Sequence, residues 1–372
     1  MPSLRVIDTG LVYRNPFPNI RGRHAYFPSL AELEGGELAV TMDIGSALEA
    51  TDVRSYLARS QDGGQTWSAP ALVYAPDESS EPVSTSVRMT RGPDGALIGL
   101  LTLFDRSRKE EGLGNPKSDG FVRTRFAIIR SKDRGATWSS PEFVTPPLEW
   151  ESFESCSPLV FVDPKRALLP TALWRDWEGN CPLGMKAVAF LSDDGGRSWS
   201  RWAEVMNGWE RGIAYWEQKQ IRLTDGRLLA VGWTYDVNRK ESLRNRYAFS
   251  EDRGESYGPP LESPLHGETC TPLALPDNRI LCVYRRADKK GLWAHLAKVE
   301  GQKWIPLADA PLWGTEVGSY GKKSDSAFDQ LATLRFGYPS VIRLGSGEIL
   351  AAFWGVEDCV SNIRWVRIEA RA

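Results

Sequence analysis

Four aspartates recur in one pattern, and repeated carboxylates could hold a cation or close a turn. Ser60-Gln-Asp62-Gly-Gly64-Gln-Thr-Trp67, Ser131-Lys-Asp133-Arg-Gly135-Ala-Thr-Trp138, Ser192-Asp-Asp194-Gly-Gly196-Arg-Ser-Trp199 and Ser250-Glu-Asp252-Arg-Gly254-Glu-Ser-Tyr257 share the spacing Ser-x-Asp-x-Gly-x-[Ser/Thr]-[Trp/Tyr]. A calcium loop of the Asp-x-[Asp/Asn]-x-[Asp/Asn]-Gly type needs more acids and a distal Glu, so the motif is too short to hold that ion. It reads as a hairpin turn. The carboxylate accepts N–H groups of its own loop, the Gly takes a positive φ, and the terminal aromatic packs between neighbouring sheets. Asp62, Asp133, Asp194 and Asp252 are therefore structural. The 3 His are isolated, without His-Glu-x-x-His, and the 5 Cys are scattered without Cys-x-x-Cys. Neither a metal nor a disulfide framework is expected. No phosphate-cradling glycine loop or serine elbow occurs, and no cofactor is expected.

The elements that carry these turns follow from the spacing. The four motifs start 71, 61 and 58 residues apart, which suits a four-stranded propeller blade. A second repeat, a strand leading through a turn to an apolar strand, runs out of phase with the first. It recurs six times, beginning near His24, Ser84, Glu154, Tyr215, Glu268 and Gly337, or about 62 residues per unit over 372. The expected fold is all-β, a six-bladed β-propeller of four-stranded antiparallel blades forming one domain over residues 1–372. The N-terminal stretch, about 1–20 with its strand from Leu4 to Tyr13, is expected to close the last blade and so remove exposed edges. Blade five retains only Glu300-Gly-Gln-Lys-Trp304 where its turn motif would be.

Composition narrows the partners. With 46 Lys+Arg against 48 Asp+Glu, the net charge of -2 supplies no basic field for a nucleic-acid backbone. The longest apolar run, Ala96 to Phe104, is about half of the roughly 20 residues a membrane span needs. No secretory leader is visible at the N-terminus, so a cytoplasmic location is expected, or secretion if a leader has been removed. The abundance of Gly (34) and Trp (15) fits short strands, tight turns and aromatic packing.

With these repeats on the page, the chain resembles the sialidase (neuraminidase) superfamily, whose six-bladed propellers carry the same turn, the Asp box. The resemblance implies an axial site with a Tyr nucleophile, a Glu that takes its proton, a carboxylic acid/base and three Arg that grip a sialic acid carboxylate. Glu217, followed by Leu223-Thr-Asp-Gly-Arg-Leu228, is similar to the family's Glu, and Gly337-Tyr338-Pro339-Ser340 to its Tyr. For the acid, expected on a blade-one loop, Glu49 is the first choice and Asp52 the second, with Asp43 close by. The arginines depart from the family. Their positions read Tyr26 in Tyr26-Phe27-Pro28, Trp233 at the end of a blade-four inner strand, and Lys290 before a blade-five second strand. Lys offers a point charge but no planar fork for a carboxylate.

Aromatic faces thus replace charge. Tyr26, Trp233 and Trp354 suit the C–H faces of a sugar, while Glu154, Glu217, Glu268 and His24 could hydrogen-bond hydroxyls. Arg23, Arg88, Arg175, Arg285 and Arg286 could partly rebuild an anion site. The implied function is an exo-acting, retaining glycoside hydrolase on a carbohydrate other than ordinary sialic acid, with Tyr338 as nucleophile, Glu217 as its base and Glu49 or Asp52 as acid/base. The alternatives are Glu217 acting with a blade-one carboxylate directly on a neutral sugar, a uronate lyase using Tyr338, His24 and Arg285, and a non-catalytic sugar-binding propeller.

Overall fold

The computed structural model describes residues 2–77, 81–321 and 332–371. Their strands form six antiparallel sheets of four main strands each, set around one axis. The innermost strands are His24–Glu32, Val83–Arg91, the short Val160–Phe161, Ile213–Arg222, Gly267–Ala274 and Phe336–Arg343 for blades one to six. Each is followed outward by a long second strand, such as Leu38–Gly45, every residue of which is buried. A strand covered on both faces must be apolar throughout rather than alternating, which Leu-Ala-Val-Thr-Met-Asp-Ile-Gly nearly satisfies. One apolar cluster fills each of the six gaps between neighbouring blades.

An innermost strand turns its unpaired edge toward the axis, and Pro residues lie on three of them and just before a fourth, that of blade three. Pro28, Pro158, Pro272 and Pro339 have no N–H to present there. The sixth sheet pairs Ser3–Tyr13 antiparallel with Val360–Arg371, so the two ends of the described chain share a blade. Gly10 sits against Trp365, where a Cβ would come within 2.7 Å of the indole, and any side chain would force the closing strand away.

The four Asp boxes connect third and fourth strands and are nearly superposable in bonding. In blade two, Ser131 Oγ donates to Asp133 Oδ1 at 2.8 Å, Thr137 N donates to the same oxygen at 2.9 Å, and Gly135 N donates to Ser131 Oγ at 2.8 Å. The terminal aromatics pack into the gap shared with the preceding blade, Trp138 toward blade one and Trp199 toward blade two. Blade five instead turns tightly at Gly301 into a long outer strand, Lys303–Trp313. There Trp304 Nε1 donates to His295 Nε2 at 3.0 Å, and His295 Nδ1 pairs with Asp309 at 2.9 Å.

Hydrogen bonds from Thr66 and Thr137 hold Asp62 and Asp133 down at about 2. A carboxylate held low in the folded state contributes stability that is complete above its unfolded value near 4 and is lost as pH falls toward about 2. Thermal melts of Asp133→Asn should therefore lie below wild type at neutral pH and converge on it between about pH 4 and about pH 2. Parallel melting curves over that interval would refute the linkage.

Candidate active site

Four innermost strands break their ladders at the same place. The register with the second strand shifts between Tyr26 and Ser29, Trp216 and Lys219, Glu268 and Thr271, and Gly337 and Ser340. Inside each shift one residue has a positive φ: Phe27 (51), Glu217 (49), Thr269 (54) and Tyr338 (51). None is Gly, and Thr is β-branched, so each position holds backbone strain of about 1–3 kcal/mol. These bulges turn their side chains out of the gaps between blades and toward the axis. Glu217 and Tyr338 are therefore structurally equivalent residues of blades four and six.

Opposite the bulges, the second strands supply a matching set. Asp43 pairs with Tyr26, Trp233 with Trp216, Arg285 with Glu268 and Trp354 with Gly337. Together they surround a two-lobed cavity of about 200 Å³ per lobe, with Phe27, Glu49, Trp174, Glu217, Trp233 and Tyr338 common to both. One lobe extends to Glu268, Arg285, Tyr320 and Trp354, the other to Asp43, Arg88 and Glu154.

The carboxylates are crowded and poorly solvated. Glu217 Oε2 accepts from Thr269 N at 2.7 Å, and Glu154 Oε2 accepts from Glu217 N at 2.6 Å. Burial pushes both carboxyls up, and for Glu154 the nearby Glu217 adds to the rise. Burial likewise raises Glu49, while Leu113 N, donating to its Oε2 at 2.8 Å, and Arg106 pull it down. Asp43 rises to about 6 through burial, against Arg88 and the hydroxyls of Ser86 and Ser55 at 2.6 and 2.7 Å.

Tyr338 lies between cations. Arg88 Cζ is 4.6 Å and Lys219 Nζ 4.3 Å from its ring centroid, and the ring meets Phe27 edge-on at 5.1 Å. Its hydroxyl donates to Ser155 O at 3.2 Å rather than to Glu217. Burial holds the phenol well above its ordinary value, with Arg88 opposing. Both arginines of the cavity already have acids: Arg285 is paired with Glu268, which also accepts from the Tyr320 hydroxyl, and Arg88 Nη1 lies 3.6 Å from Asp43. One wall is aromatic, with Trp216 stacked between Trp174 and Tyr235 at 4.7 Å each and edge-on to Trp233 at 4.9 Å.

Of the residues singled out in the sequence, Tyr338, Glu217, Glu49, Glu154, Glu268, Arg285, Trp233 and Trp354 line the cavity. Four lie elsewhere. Asp52 is exposed and accepts from Ser46 N and Oγ, both at 3.0 Å, as a loop clasp. Tyr26 is buried edge-on against Trp354 at 5.3 Å, and His24 stacks on Tyr26 while accepting from Ser361 N. Lys290 is exposed and lies after the second strand of blade five, before the third. Trp233 is on the second strand of blade four, not the inner one, and Glu49 follows the second strand of blade one. Trp174, Trp216, Tyr235, Tyr320, Lys219 and the Leu113 and Phe121 wall were not anticipated. The last two come from a blade-two insertion with its own hairpin, Gly114–Asn115 and Gly120–Phe121.

Geometry of this kind is that of an Asp-box propeller. The chain belongs to the BNR repeat-like domain family, whose profile matches residues 36–349. No curated protein sequence matches it. Among solved structures, a protein of unknown function from Dyadobacter fermentans is 20% identical over 100% of both chains with a TM-score of 0.76. The NanB sialidase of Streptococcus pneumoniae is 12% identical, with 97% of this chain and 70% of that chain covered and a TM-score of 0.67. An α-L-arabinanase of Penicillium chrysogenum, complexed with arabinobiose, is 14% identical over 98% of both chains with a TM-score of 0.66. At such identities the likeness establishes the fold.

A carboxyl whose proton is held more tightly in the folded state weakens folding as pH rises from its unfolded value through its folded one. Glu154→Gln keeps an acceptor for Glu217 N without the charge. Its melting temperature should exceed that of wild type at pH 8 and approach it near pH 4, and an unchanged or lower value at pH 8 would contradict the burial of charge inferred for this pair.

Proposed function

We propose that the protein is a retaining, exo-acting glycoside hydrolase for a neutral sugar rather than for ordinary sialic acid. The observation that carries this reading is charge pairing: Arg285 is matched by Glu268 and Arg88 by Asp43, which leaves neither guanidinium open to a substrate carboxylate. Aromatic faces at Trp174 and Trp233 suit the apolar face of a sugar ring, and the surrounding carboxylates suit its hydroxyls. A pocket walled by Leu113 and Phe121 of the blade-two insertion favours a chain end over a through-running polymer. The uronate lyase reading loses two of its three residues, because His24 lies outside the cavity and Arg285 is already paired.

In the reaction, Glu49 as a protonated acid gives its proton to the departing glycosidic oxygen while Tyr338 Oη attacks the anomeric carbon. The phenol proton passes to Glu217. Water then attacks the glycosyl-tyrosine, Glu49 now taking the water proton and the phenoxide recovering its own from Glu217. Burial, which strengthens the hold of the Glu49 carboxyl on its proton, serves the first step. A second reading has Glu217 attack the sugar directly. It is favoured by the Tyr338 hydroxyl, which points to Ser155 O and resists ionisation.

The test is turnover of a panel of neutral and acidic aryl glycosides, followed by trapping with the 2-fluoro analogue of whichever sugar reacts and mass mapping of the adduct. A neutral sugar should turn over, and Tyr338→Phe and Glu217→Gln should each lower kcat/KM by about 10²- to 10⁴-fold. An adduct on Tyr338 supports the first reading and one on Glu217 the second. Preferential turnover of sialosides would overturn the substrate class, and binding of oligosaccharide without any turnover would make the propeller a lectin.

A further inference from the structure

Behind the catalytic pocket, along the same axis, lies a second cavity of about 510 Å³ that no part of the proposed reaction uses. It is lined by the later halves of the innermost strands of all six blades, and Tyr338, Arg88 and Cys156 form the partition between it and the front pocket. Its ionisable lining is unbalanced: Arg88, Arg91, Lys219, Arg222 and Arg343 face a single acid, Glu32, which is occupied by Gly345 N at 2.9 and 3.0 Å. Arg91, Arg222 and Arg343 are the last residues of the innermost strands of blades two, four and six, so they recur on alternate blades around the mouth.

Lys219 is the anomaly. Three buried cations surround Tyr338 and its neighbours, and two of them have carboxylates, Arg88 with Asp43 and Arg285 with Glu268. Lys219 is 5% exposed, and among the described residues its hydrogen-bond partner is one neutral hydroxyl, Thr271 Oγ1 at 2.6 Å. That hydroxyl spends its own proton on Pro339 O at 2.5 Å, so it serves the ammonium purely as acceptor. An ammonium has three donors, and withdrawing an unpaired one from water is costly unless an anion accompanies it.

We infer that the rear axial cavity is a binding site for a small oxyanion of the phosphate or sulfate class, anchored on Lys219 at its floor and screened at its mouth by Arg91, Arg222 and Arg343. The bound anion gives Lys219 a hydrogen-bonded counter-charge, which Glu217 and Glu154 supply only through space, and it does so on the side of the Tyr338 ring away from the sugar. The site exists whether or not the front pocket is catalytic.

Isothermal titration calorimetry of the full chain at fixed ionic strength tests this, with sodium sulfate, inorganic phosphate and glycerol 3-phosphate as separate titrants. Wild type should bind one anion saturably with Kd below about 10 mM. Lys219→Met should weaken binding at least about tenfold, and the surface double variant Arg222→Gln/Arg343→Gln several-fold, since charge-assisted bonds are lost in each. Binding of the free anions alone marks an inorganic anion site, and binding of glycerol 3-phosphate as well marks a phosphomonoester site. The groups facing the ammonium are Glu217, Glu154, Cys156, Cys270, Arg88, Thr271 and Tyr338, and burial lowers Lys219 to about 8. Sulfate affinity should therefore fall as pH rises through about 8, which arginines alone would not produce. Absence of saturable binding to wild type overturns the inference, as does binding that Lys219→Met leaves unchanged. Should that variant fail to fold, unaltered binding by the double arginine variant does the same.

Discussion

A strand cannot easily aim a side chain at the axis it runs beside. In a propeller the innermost strand turns its edge inward and sends its side chains left and right into the gaps between blades, so an unbroken ladder would leave the axis lined with backbone. The positive-φ bulges at Phe27, Glu217, Thr269 and Tyr338 resolve this conflict. Each gives up ladder hydrogen bonds and accepts backbone strain, and the rigid second strands hold it in place. Everything at the site depends on that geometry, including the pairing of a Glu and a Tyr at equivalent positions of blades four and six.

Charge is the second organising constraint. The pocket concentrates Asp43, Glu49, Glu154, Glu217 and Glu268 where water is scarce, with Arg88 and Arg285 among them and Lys219 just behind, on the rear cavity. Local pairing fixes which of these groups remain available to a ligand. Arg88 and Arg285 are drawn back against the walls by Asp43 and Glu268, while Glu49 and Glu217 stay open to the cavity. Under the proposed function, this balance is what would suit acid–base work on hydroxyls and glycosidic oxygens.

The fold was readable in the sequence because its signals are local. An Asp box is eight consecutive residues whose bonds close among themselves, and its recurrence sets the blade length without reference to anything distant. Glu217 and Tyr338 were legible only through the family resemblance, which matches each by the turn that follows it. Other site residues were not, because their placement depends on register. Tyr26 was matched to a ligand position, but the bulge begins one residue later, and a shift by one reverses the face a side chain occupies. Phe27 therefore reaches the pocket and Tyr26 fills the gap between blades. Trp174, Tyr320, Leu113 and Phe121 come from loops that repeat nowhere in the chain, and a buried Lys219 cannot be told from a surface lysine by residue type. Asp52, His24 and Lys290 were plausible by chemistry and excluded only by position.

The closing strand also constrains how the molecule comes into being. Ser3–Tyr13 leaves the ribosome before the blades it closes, yet its sheet partner among the described residues, Val360–Arg371, emerges hundreds of residues later. During synthesis the first strand must wait unpaired while five blades form, and Tyr338 belongs to the blade that both ends complete. Within the propeller, the pocket is thus completed last, and a ribosome that stalls before Val360–Arg371 releases a chain with most of its sheets and an unfinished pocket.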